Sequence, residues 1–231
     1  MFRPWFGSQR PVLGTRGTRL ALPDRVTDEV AACLGIPGIT AHRAVFADGS
    51  VAGTTVLVHG VLGGVGTLAA QLASWGVRQS SGRCAGATTC RGARPGRVAH
   101  SVALDDRDPA CAIRAHAPDG VDRIVEVAFS DNVDLDAAVA KNQTVVAAYA
   151  THDDRPDFPF WPMLFSNITI RLLGSDDFSF EARQRAAADL TAAAQDGALS
   201  IAVDATMPLE ATAQAHERVD EESREAPVKV D

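Results

Sequence analysis

The chain has 231 residues, 46% of them hydrophobic, and a formal net charge of −7 at pH 7. This length suits one large domain or two small ones, and the acidic balance argues against nucleic acid as a main partner, because binding to a phosphate backbone needs a basic face. No apolar run approaches the roughly 20 residues that span a bilayer. The N-terminal sequence MFRPWFGSQR lacks the apolar stretch of a signal peptide, so we expect a cytoplasmic protein without membrane contact.

The cysteines and histidines show no metal-binding pattern. The four cysteines, at positions 33, 84, 90 and 111, contain no Cys-x-x-Cys pair. No two histidines stand four residues apart, the spacing that places two ligands on one face of a helix. The sequence therefore predicts no metal site, and free thiols in a reducing compartment.

From residue 55 onward, short apolar segments alternate with segments of helical pattern. The predicted strands cover residues 55–59, 98–104, 121–128, 143–149 and 167–173. The predicted helices cover residues 64–75, 108–116, 131–141, 180–196 and 209–219, with a further apolar segment at 199–203. Ser179 is a suitable N-cap, and Gly197 a suitable stop, for the helix between them. This alternation predicts an α/β fold, a doubly wound and mostly parallel sheet of the Rossmann type with helices on both faces.

The first of these strands runs into a glycine-rich loop, VLVHGVLGGVG, and a helical pattern follows. Glycines at such a junction let backbone N–H groups approach a diphosphate, which the N-terminus of the helix attracts. The spacing Gly60-x-x-Gly63-x-x-Gly66 departs from the G-x-G-x-x-G fingerprint, so packing of helix against strand is an alternative use of these glycines. A Walker loop is excluded, because Thr67 and Leu68 follow where that loop needs lysine and a hydroxyl residue.

The charges beyond the loop bear on the choice of nucleotide. An NAD site usually places an acidic residue about 20 residues after the loop, but none occurs between Asp48 and Asp105. The interval contains arginines instead, namely Arg78, Arg83, Arg91, Arg94 and Arg97. The guanidinium group can bind two oxygens of a 2′-phosphate, so the sequence favours NADP over NAD, with a solvated basic loop as the alternative.

Two motifs in order, LPDRVTDEVAACLGIPGITAHRAVF and GTTVLVHGVLGGVGTLAAQLA, resemble those of the zinc-free, zeta-crystallin-like quinone oxidoreductases of the medium-chain dehydrogenase/reductase superfamily. The later motifs GVDRIVEV, FSNITIRLLGS and PLEATAQAHERV follow in the order that the family shows. The similarity covers residues 21–75 and 98–220. It implies an oxidoreductase that takes hydride from NADPH and transfers it to a small molecule, a quinone or a similar electron-poor carbonyl or alkene.

The resemblance also implies which residues bind the cofactor. The diphosphate would lie on the glycine loop, with the nicotinamide near one helix and two strand ends. The implied contacts are Thr40, Gly63, Gly64, Val65, Gly66, Val127, Ala128, Ala148 and Tyr149. A homodimer is implied through the strand at residues 167–174, which extends one sheet through both subunits. No catalytic residue is named, because hydride chemistry belongs to the cofactor.

Parts of the chain depart from the family pattern. The GroES-like N-terminal domain is largely missing, so residues 1–23 are expected to form a remnant or irregular segment before an NADP-binding domain at 24–220. Residues 76–97 show no periodicity and are expected to be irregular, and residues 221–231 to form a tail. A catalytically inactive relative that binds nucleotide or self-associates is therefore an alternative. A methyltransferase with a glycine loop is another, and the LPD and LGIPGIT motifs count against it.

Three polar residues and one aromatic segment have open interpretations. His42 stands where the family often has tyrosine, and either faces the cleft or lies on a helix surface. His59, directly before the loop, is interpreted as a packing residue, and Glu126 lies in an apolar strand without a nameable partner. The segment PDFPFWPMLF is a lid, a dimer contact or an apolar loop packed on the sheet.

Overall fold

The computed structural model describes residues 26–78, 87–89, 99–104, 107–174, 177–203 and 205–225. The predicted segment at residues 1–23 lies outside the described residues, together with most of 76–97 and the end of the predicted tail. Several residues weighed above also lie there, namely Arg83, Cys84, Cys90, Arg91, Arg94 and Arg97.

Six parallel strands form one sheet. In chain order they are β1 (Val56–Val58), β2 (Ala87–Thr89), β3 (His100–Val102), β4 (Val121–Glu126), β5 (Ala140–Ala148) and β6 (Thr169–Leu172). Their order across the sheet is β3-β2-β1-β4-β5-β6, and every neighbouring pair is parallel. This doubly wound order confirms the predicted Rossmann-type fold, and its direction reverses between β1 and β4, where ligands bind in such sheets.

Seven helices accompany the sheet in the described part of this unit. They are α1 (Asp28–Cys33), α2 (Ile36–Phe46), α3 (Gly64–Arg78), α4 (Pro109–His116), α5 (Phe129–Val139), α6 (Phe160–Phe165) and α7 (Phe180–Gln195). The predicted cap of α7 is confirmed: the Ser179 side chain accepts a hydrogen bond from the Ala182 backbone. Gly197 follows α7 at a φ of +67°, a conformation that glycine adopts without strain.

Two apolar cores cover the two faces of the sheet. Val56 and Val58 of β1 belong to the core that α2, α3 and α7 complete, whereas Leu57 between them belongs to the core of α4, α5 and α6. Successive residues of a strand point to opposite faces, so a strand covered on both faces is apolar throughout. This is why a continuous apolar run in the sequence marked a central strand.

The structure corrects the prediction in several places. Residues 76–97 are not irregular throughout, because α3 continues to Arg78 and β2 lies between β1 and β3, where a Rossmann sheet has its second strand. The predicted apolar loop before β6 contains α6. Residues 199–203 form no strand. Proximity in the sheet stabilises β2, which a window of its own sequence does not reveal.

The end of the chain forms a second compact unit, Ala202–Asp231, separate from Met1–Ile201. Its described part contains a 3-10 turn at Leu209–Ala211 and helix α8 (Thr212–Glu225). The boundary therefore lies before residue 220, and the first residues of the predicted tail are helical. Across both units, no described helix has the length and apolar character needed to cross a membrane.

Candidate functional site

The glycine loop turns the chain from β1 into α3. Gly60 has a φ of +64°, and its carbonyl accepts a hydrogen bond from the Gly63 N–H at 2.9 Å. A Cβ at Gly66 would lie 2.2 Å from the Gly60 carbonyl oxygen, so only glycine fits there. A Cβ at Gly64 would meet no atom within 4 Å. Packing thus explains Gly60 and Gly66, whereas Gly64 is exposed at an open surface.

The N-terminus of α3 provides hydrogen-bond donors at this open surface. The first N–H groups of a helix have no intrahelical partner and carry a partial positive charge. The first turn of α3 holds no acidic residue to compete for them. Thr67 anchors the loop, because its hydroxyl donates to the Val61 carbonyl at 2.5 Å. Gly64 and Val65 begin α3 at this surface, whereas the Gly63 N–H is already bonded to the Gly60 carbonyl.

The predicted nicotinamide contacts at the strand ends lie next to this loop. Val127 follows β4, and a Cβ at Gly60 would lie 2.9 Å from its Cγ1 atom, so loop and strand end touch. Tyr149 follows β5, and its N–H donates to the Glu126 carbonyl at 3.0 Å. The fold thus brings the carboxyl ends of β1, β4 and β5 to one edge, with Ala128 and Ala148 beside these residues.

Thr40 is differently engaged. It is buried in α2, and its hydroxyl donates to the Ile36 carbonyl at 2.8 Å, one turn earlier in the same helix. This bond satisfies the hydroxyl within α2, so the structure gives the Thr40 side chain no open donor toward the glycine loop.

A cavity of about 530 Å³ opens at the carboxyl ends of β5 and β6. Its lining residues are Phe129, Ala148, Tyr149, Ala150, Thr151, Asp154, Pro156, Phe158, Ile170, Leu172, Leu173 and Gly174. Burial and the charge of Glu126 raise the pKa of Tyr149 to about 12, so its hydroxyl stays protonated at neutral pH. The cavity is therefore a mainly apolar pocket whose few polar side chains are Tyr149, Thr151 and Asp154.

A buried polar cluster lies directly behind the loop. His59 Nε2 donates to Asp136 Oδ1 at 2.8 Å and lies 3.3 Å from Glu126 Oε2, and all three side chains are inaccessible to solvent. Glu126 Oε1 accepts from the Ala128 N–H and, at 3.1 Å, from Asn132 Nδ2. His59 is therefore a hydrogen-bonded residue as well as the packing residue that was expected. Glu126, which had no nameable partner in the sequence, is bonded by Ala128 and Asn132.

The environment shifts the pKa of two members of this cluster. Burial alone would lower the pKa of His59, but the hydrogen bond to Asp136 and the charges of Asp136 and Glu126 raise it overall. Burial raises the pKa of Glu126. The charge of His59 and the hydrogen bonds from Ala128 and Asn132 lower this pKa by less, so it stays raised overall. The folded cluster therefore retains protons that an exposed histidine and glutamate would lose.

Sequence reasoning missed Asp136 and Asn132 altogether. They stand four residues apart in α5, so they share one face of the helix, and both are buried. Two polar residues at helical spacing among apolar ones, following an isolated glutamate in an apolar strand, are the signal that could have found them. The pairing with His59 spans 77 positions, which no local pattern encodes.

The same three side chains carry atoms of the kind that bind metals. Single ligand atoms of His59, Glu126 and Asp136 lie within 4.8 Å of one another, the one such trio found in the described part of the chain. At zinc–ligand distances of about 2.1 Å, the 2.8 Å separation of Nε2 and Oδ1 would require an angle of about 85°, well below the tetrahedral value of about 109°. We therefore describe the pair as a hydrogen bond, and the expected lack of a metal site stays a prediction.

The second buried histidine belongs to another part of the fold. His42 Nε2 donates to Asp189 Oδ2 at 2.7 Å and so ties α2 to α7. Its side chain is fully buried, which corrects the interpretation as a cleft residue. The interpretation as a hydrogen-bonded histidine on one face of the helix is confirmed for the hydrogen bond, although that face is buried. His42 is a helix-pairing residue.

The chain is similar to known oxidoreductases. A family model described as a zinc-binding dehydrogenase matches residues 98–226. A quinone oxidoreductase of Homo sapiens is 30% identical over 206 residues, which are 86% of this chain and 60% of the relative's length. This chain therefore spans less than two thirds of that relative.

Solved structures share the fold. A mycobacterial quinone oxidoreductase matches with a TM-score of 0.74 at 21% identity, over 90% of this chain and 65% of that one. A mycobacterial protein complexed with NADPH matches with a TM-score of 0.73 at 22% identity, over 89% of this chain and 66% of that one. At these identities the likeness concerns the architecture.

Proposed function

The chain belongs to the zinc-binding dehydrogenase family of the medium-chain dehydrogenase/reductases, and its homologues are oxidoreductases. We propose that this oxidoreductase works without zinc, because its cysteines and histidines show no zinc-binding pattern. In this proposal it binds NADPH and transfers hydride to a quinone or a similar electron-poor carbonyl or alkene. Family membership removes the methyltransferase alternative.

The observation that carries the proposal is the open surface at Gly64. At Gly60 and Gly66 a side chain would collide with neighbouring atoms, so both positions need glycine. The space above Gly64 is free, and it lies at the N-terminus of α3, where backbone N–H groups can donate hydrogen bonds to an anion. Val127 and Tyr149 border the same edge of the sheet. An extended dinucleotide can therefore lie with its diphosphate on the loop and its nicotinamide at the strand ends.

The choice of NADPH rests on the sequence and on one structural relative. The chain has no acidic residue between Asp48 and Asp105 that could hold the ribose diol of NAD. The mycobacterial relative complexed with NADPH has the same fold. The arginines expected to bind the 2′-phosphate fall outside the described side chains, so this contact stays a prediction.

The cavity beside Tyr149 supports a flat, weakly polar substrate. Its volume of about 530 Å³ and its mainly apolar lining suit an aromatic or quinone ring. Bound NADPH would supply the hydride. The residues of the chain would hold the ring against it, exclude water through Phe129 and Phe158, and offer the neutral Tyr149 hydroxyl as a hydrogen-bond donor.

We also propose that the protein forms a homodimer through the outer edge of β6. This strand ends the sheet, and Leu172 is 77% exposed. An exposed apolar edge strand readily pairs with a second copy. A cytoplasmic location belongs to the same proposal, because the free thiols of Cys33 and Cys111 suit a reducing compartment.

A fluorescence titration of the purified chain with NADPH and, separately, with NADH tests the proposal. We expect NADPH to bind about tenfold more tightly than NADH, since an arginine contact to the 2′-phosphate contributes more than about 1.4 kcal/mol. Turnover of a simple quinone, followed by loss of NADPH absorbance, tests the activity. Failure of both nucleotides to bind would overturn the proposal.

A further inference from the structure

The cluster behind the glycine loop joins three elements that carry the proposed cofactor contacts. His59 follows β1, Glu126 ends β4, and Asp136 lies in α5. His59 Nε2 donates to Asp136 Oδ1 at 2.8 Å and faces Glu126 Oε2 at 3.3 Å without a hydrogen bond to it, and the His59 backbone N–H donates to the Val125 carbonyl at 3.0 Å. The position of His59 is thus determined by β4 and α5 as well as by its own strand.

Each member of the cluster adjoins a residue of the proposed site. Gly60 follows His59 directly and touches Val127, which follows Glu126 directly. The Glu126 side chain also accepts from the Ala128 N–H, and its backbone carbonyl accepts from the Tyr149 N–H. A shift of His59 or Glu126 therefore moves the loop relative to the strand ends.

The cluster is also energetically costly to keep. Glu126 Oε2 and Asp136 Oδ2 are buried, and among the described residues neither accepts a hydrogen bond. Buried carboxylate oxygens without donors destabilise a fold, and apolar residues of similar size would pack there without this cost. Polar groups held in a low dielectric fix geometry more strictly than apolar contacts do, because small displacements change their interaction energies steeply.

We propose that Asp136, acting through His59, is a positioning residue for the cofactor: it sets the distance between the glycine loop and the ends of β4 and β5 without touching the cofactor itself. The effect on cofactor affinity rests on the proposed function. The effect on the loop does not, because it is a property of the cofactor-free chain.

The test compares two aspartates that each bind a buried histidine. Asp136→Asn weakens the bond to His59, and the matched control Asp189→Asn weakens the bond to His42 between α2 and α7, which has a similar length of 2.7 Å. Both variants are first checked for folding by circular dichroism, and their urea midpoints are measured so that general destabilisation is known.

The first measurement is hydrogen exchange of the backbone amides of residues 60–67 in the cofactor-free chain. We expect exchange there to be faster by about tenfold in Asp136→Asn than in Asp189→Asn, a factor within the range of a hydrogen bond to a charged group. The second is the NADPH dissociation constant, which we expect to rise by about tenfold in Asp136→Asn and by less than about threefold in the control.

The outcomes separate this proposal from the proposed function. Equal exchange of the loop amides in the two variants would overturn the positioning role, whether or not NADPH binds. Faster exchange in Asp136→Asn in a chain that binds no nicotinamide nucleotide would support the positioning of the loop and overturn the proposed function. If Asp136→Asn does not fold, Asp136→Leu takes its place, because an apolar residue of similar size removes the bond to His59 together with the buried Oδ2 atom that lacks a hydrogen bond.

Discussion

Gly64 separates the two uses of glycine in the loop. Gly60 has a positive φ, and a Cβ there would lie 2.9 Å from Val127 Cγ1. A Cβ at Gly66 would lie 2.2 Å from the Gly60 carbonyl oxygen. Gly64 has neither constraint, since it lies exposed in the first turn of α3. An acidic side chain at this position would favour the helix, because negative charge complements the helix N-terminus.

Gly64→Asp should therefore weaken nucleotide binding and preserve the fold. We expect the NADPH dissociation constant to rise by about tenfold or more, because a carboxylate beside a diphosphate costs more than about 1.4 kcal/mol. The free energy of unfolding should stay equal or rise by up to about 1 kcal/mol. Fluorescence titration and urea denaturation measure the two effects.

Cys111→Asp is the control for this variant. It places the same charge on an exposed residue in the first turn of α4, and it should leave NADPH affinity unchanged. Unaltered affinity in Gly64→Asp would mean that the diphosphate does not lie on the loop.

The buried His59 and Glu126 make stability depend on pH. Both pKa values are raised in the folded chain, by the charges of Asp136 and Glu126 for His59 and by burial for Glu126. The unfolded chain therefore releases protons at lower pH than the folded chain. Stability falls as pH rises above the ordinary pKa values of glutamate and histidine, 4.5 and 6.5, toward the raised values of the folded chain.

Glu126→Gln should flatten this dependence. The amide does not titrate, and removal of the Glu126 charge also brings the pKa of His59 closer to its usual value. We expect the loss of unfolding free energy between pH 5 and pH 8 to be smaller by about 1 kcal/mol than in the unaltered chain. Urea denaturation at three pH values measures it. The control Glu181→Gln, at an exposed site on α7, should keep the full pH dependence of the unfolding free energy. If this free energy changed with pH equally in the unaltered chain and in both variants, Glu126 would not be a source of the pH dependence.

At the scale of elements, Asp48 joins a helix end to two strands. It follows α2 and binds Arg123 of β4 at 2.5 Å and Arg171 of β6, whose Nε atom lies 3.1 Å away. Arg123 is buried and donates a further bond to the Ala44 carbonyl at 2.6 Å. Burial would raise the pKa of Asp48, but the hydrogen bonds from Arg171 and Arg123 lower it overall.

Asp48→Asn should destabilise the sheet in a pH-dependent way. It leaves the buried Arg123 without its counter-charge, so we expect a loss of about 3 kcal/mol at neutral pH. Because the pKa of Asp48 is lowered in the folded chain, the contribution of its charge is present above pH 4 and is lost as pH falls toward 3.

Urea denaturation at pH 7 and pH 3 should therefore show that Asp48→Asn and the unaltered chain differ less in free energy of unfolding at pH 3 than at pH 7. The exposed Asp119, changed to asparagine, should shift stability by less than about 0.5 kcal/mol at both pH values. If the difference in unfolding free energy were as large at pH 3 as at pH 7, the carboxylate charge of Asp48 would not be what stabilises these elements.

At the scale of the whole molecule, the two edges of the sheet differ. The β6 edge follows α6, on which Trp161 and Phe165 stack with 64% and 74% of their surfaces exposed. Leu172 of β6 is exposed as well, at 77% of its surface. Exposed large apolar side chains of this kind are what the proposed dimer would cover.

Leu172→Lys should convert a dimer into a monomer. Leu172 is exposed, so the substitution leaves the core intact, while a lysine at an edge strand opposes pairing with a second edge. Light scattering coupled to size-exclusion chromatography measures the mass. Leu104→Lys, just beyond β3 on the opposite edge, is the matched control and should leave the mass unchanged. A monomer in the unaltered chain would contradict the proposed dimer.

Local sequence patterns were sufficient to predict the architecture. Apolar strands such as that around Val56 alternate with capped helices such as the one after Ser179, and in such units local patterns and right-handed crossovers leave few topologies. The same local reasoning located the glycine loop, because turn and helix-start chemistry are encoded in neighbouring residues. It failed for β2, whose short strand exists because β1 and β3 offer hydrogen-bonding edges on both sides.

The partners of the buried polar residues could be read from the folded chain and not from the sequence. His59, Glu126 and Asp136 meet because β1, β4 and α5 converge at one edge of the sheet, and Asp189 reaches His42 because α7 packs on α2. The tertiary structure also distinguished Gly64, which is open, from Gly66, which the backbone fills. The physical reason is that hydrogen bonds and steric contacts act over a few ångströms. Sequence periodicity describes neighbours along the chain, and it does not tell which distant segments come within that distance.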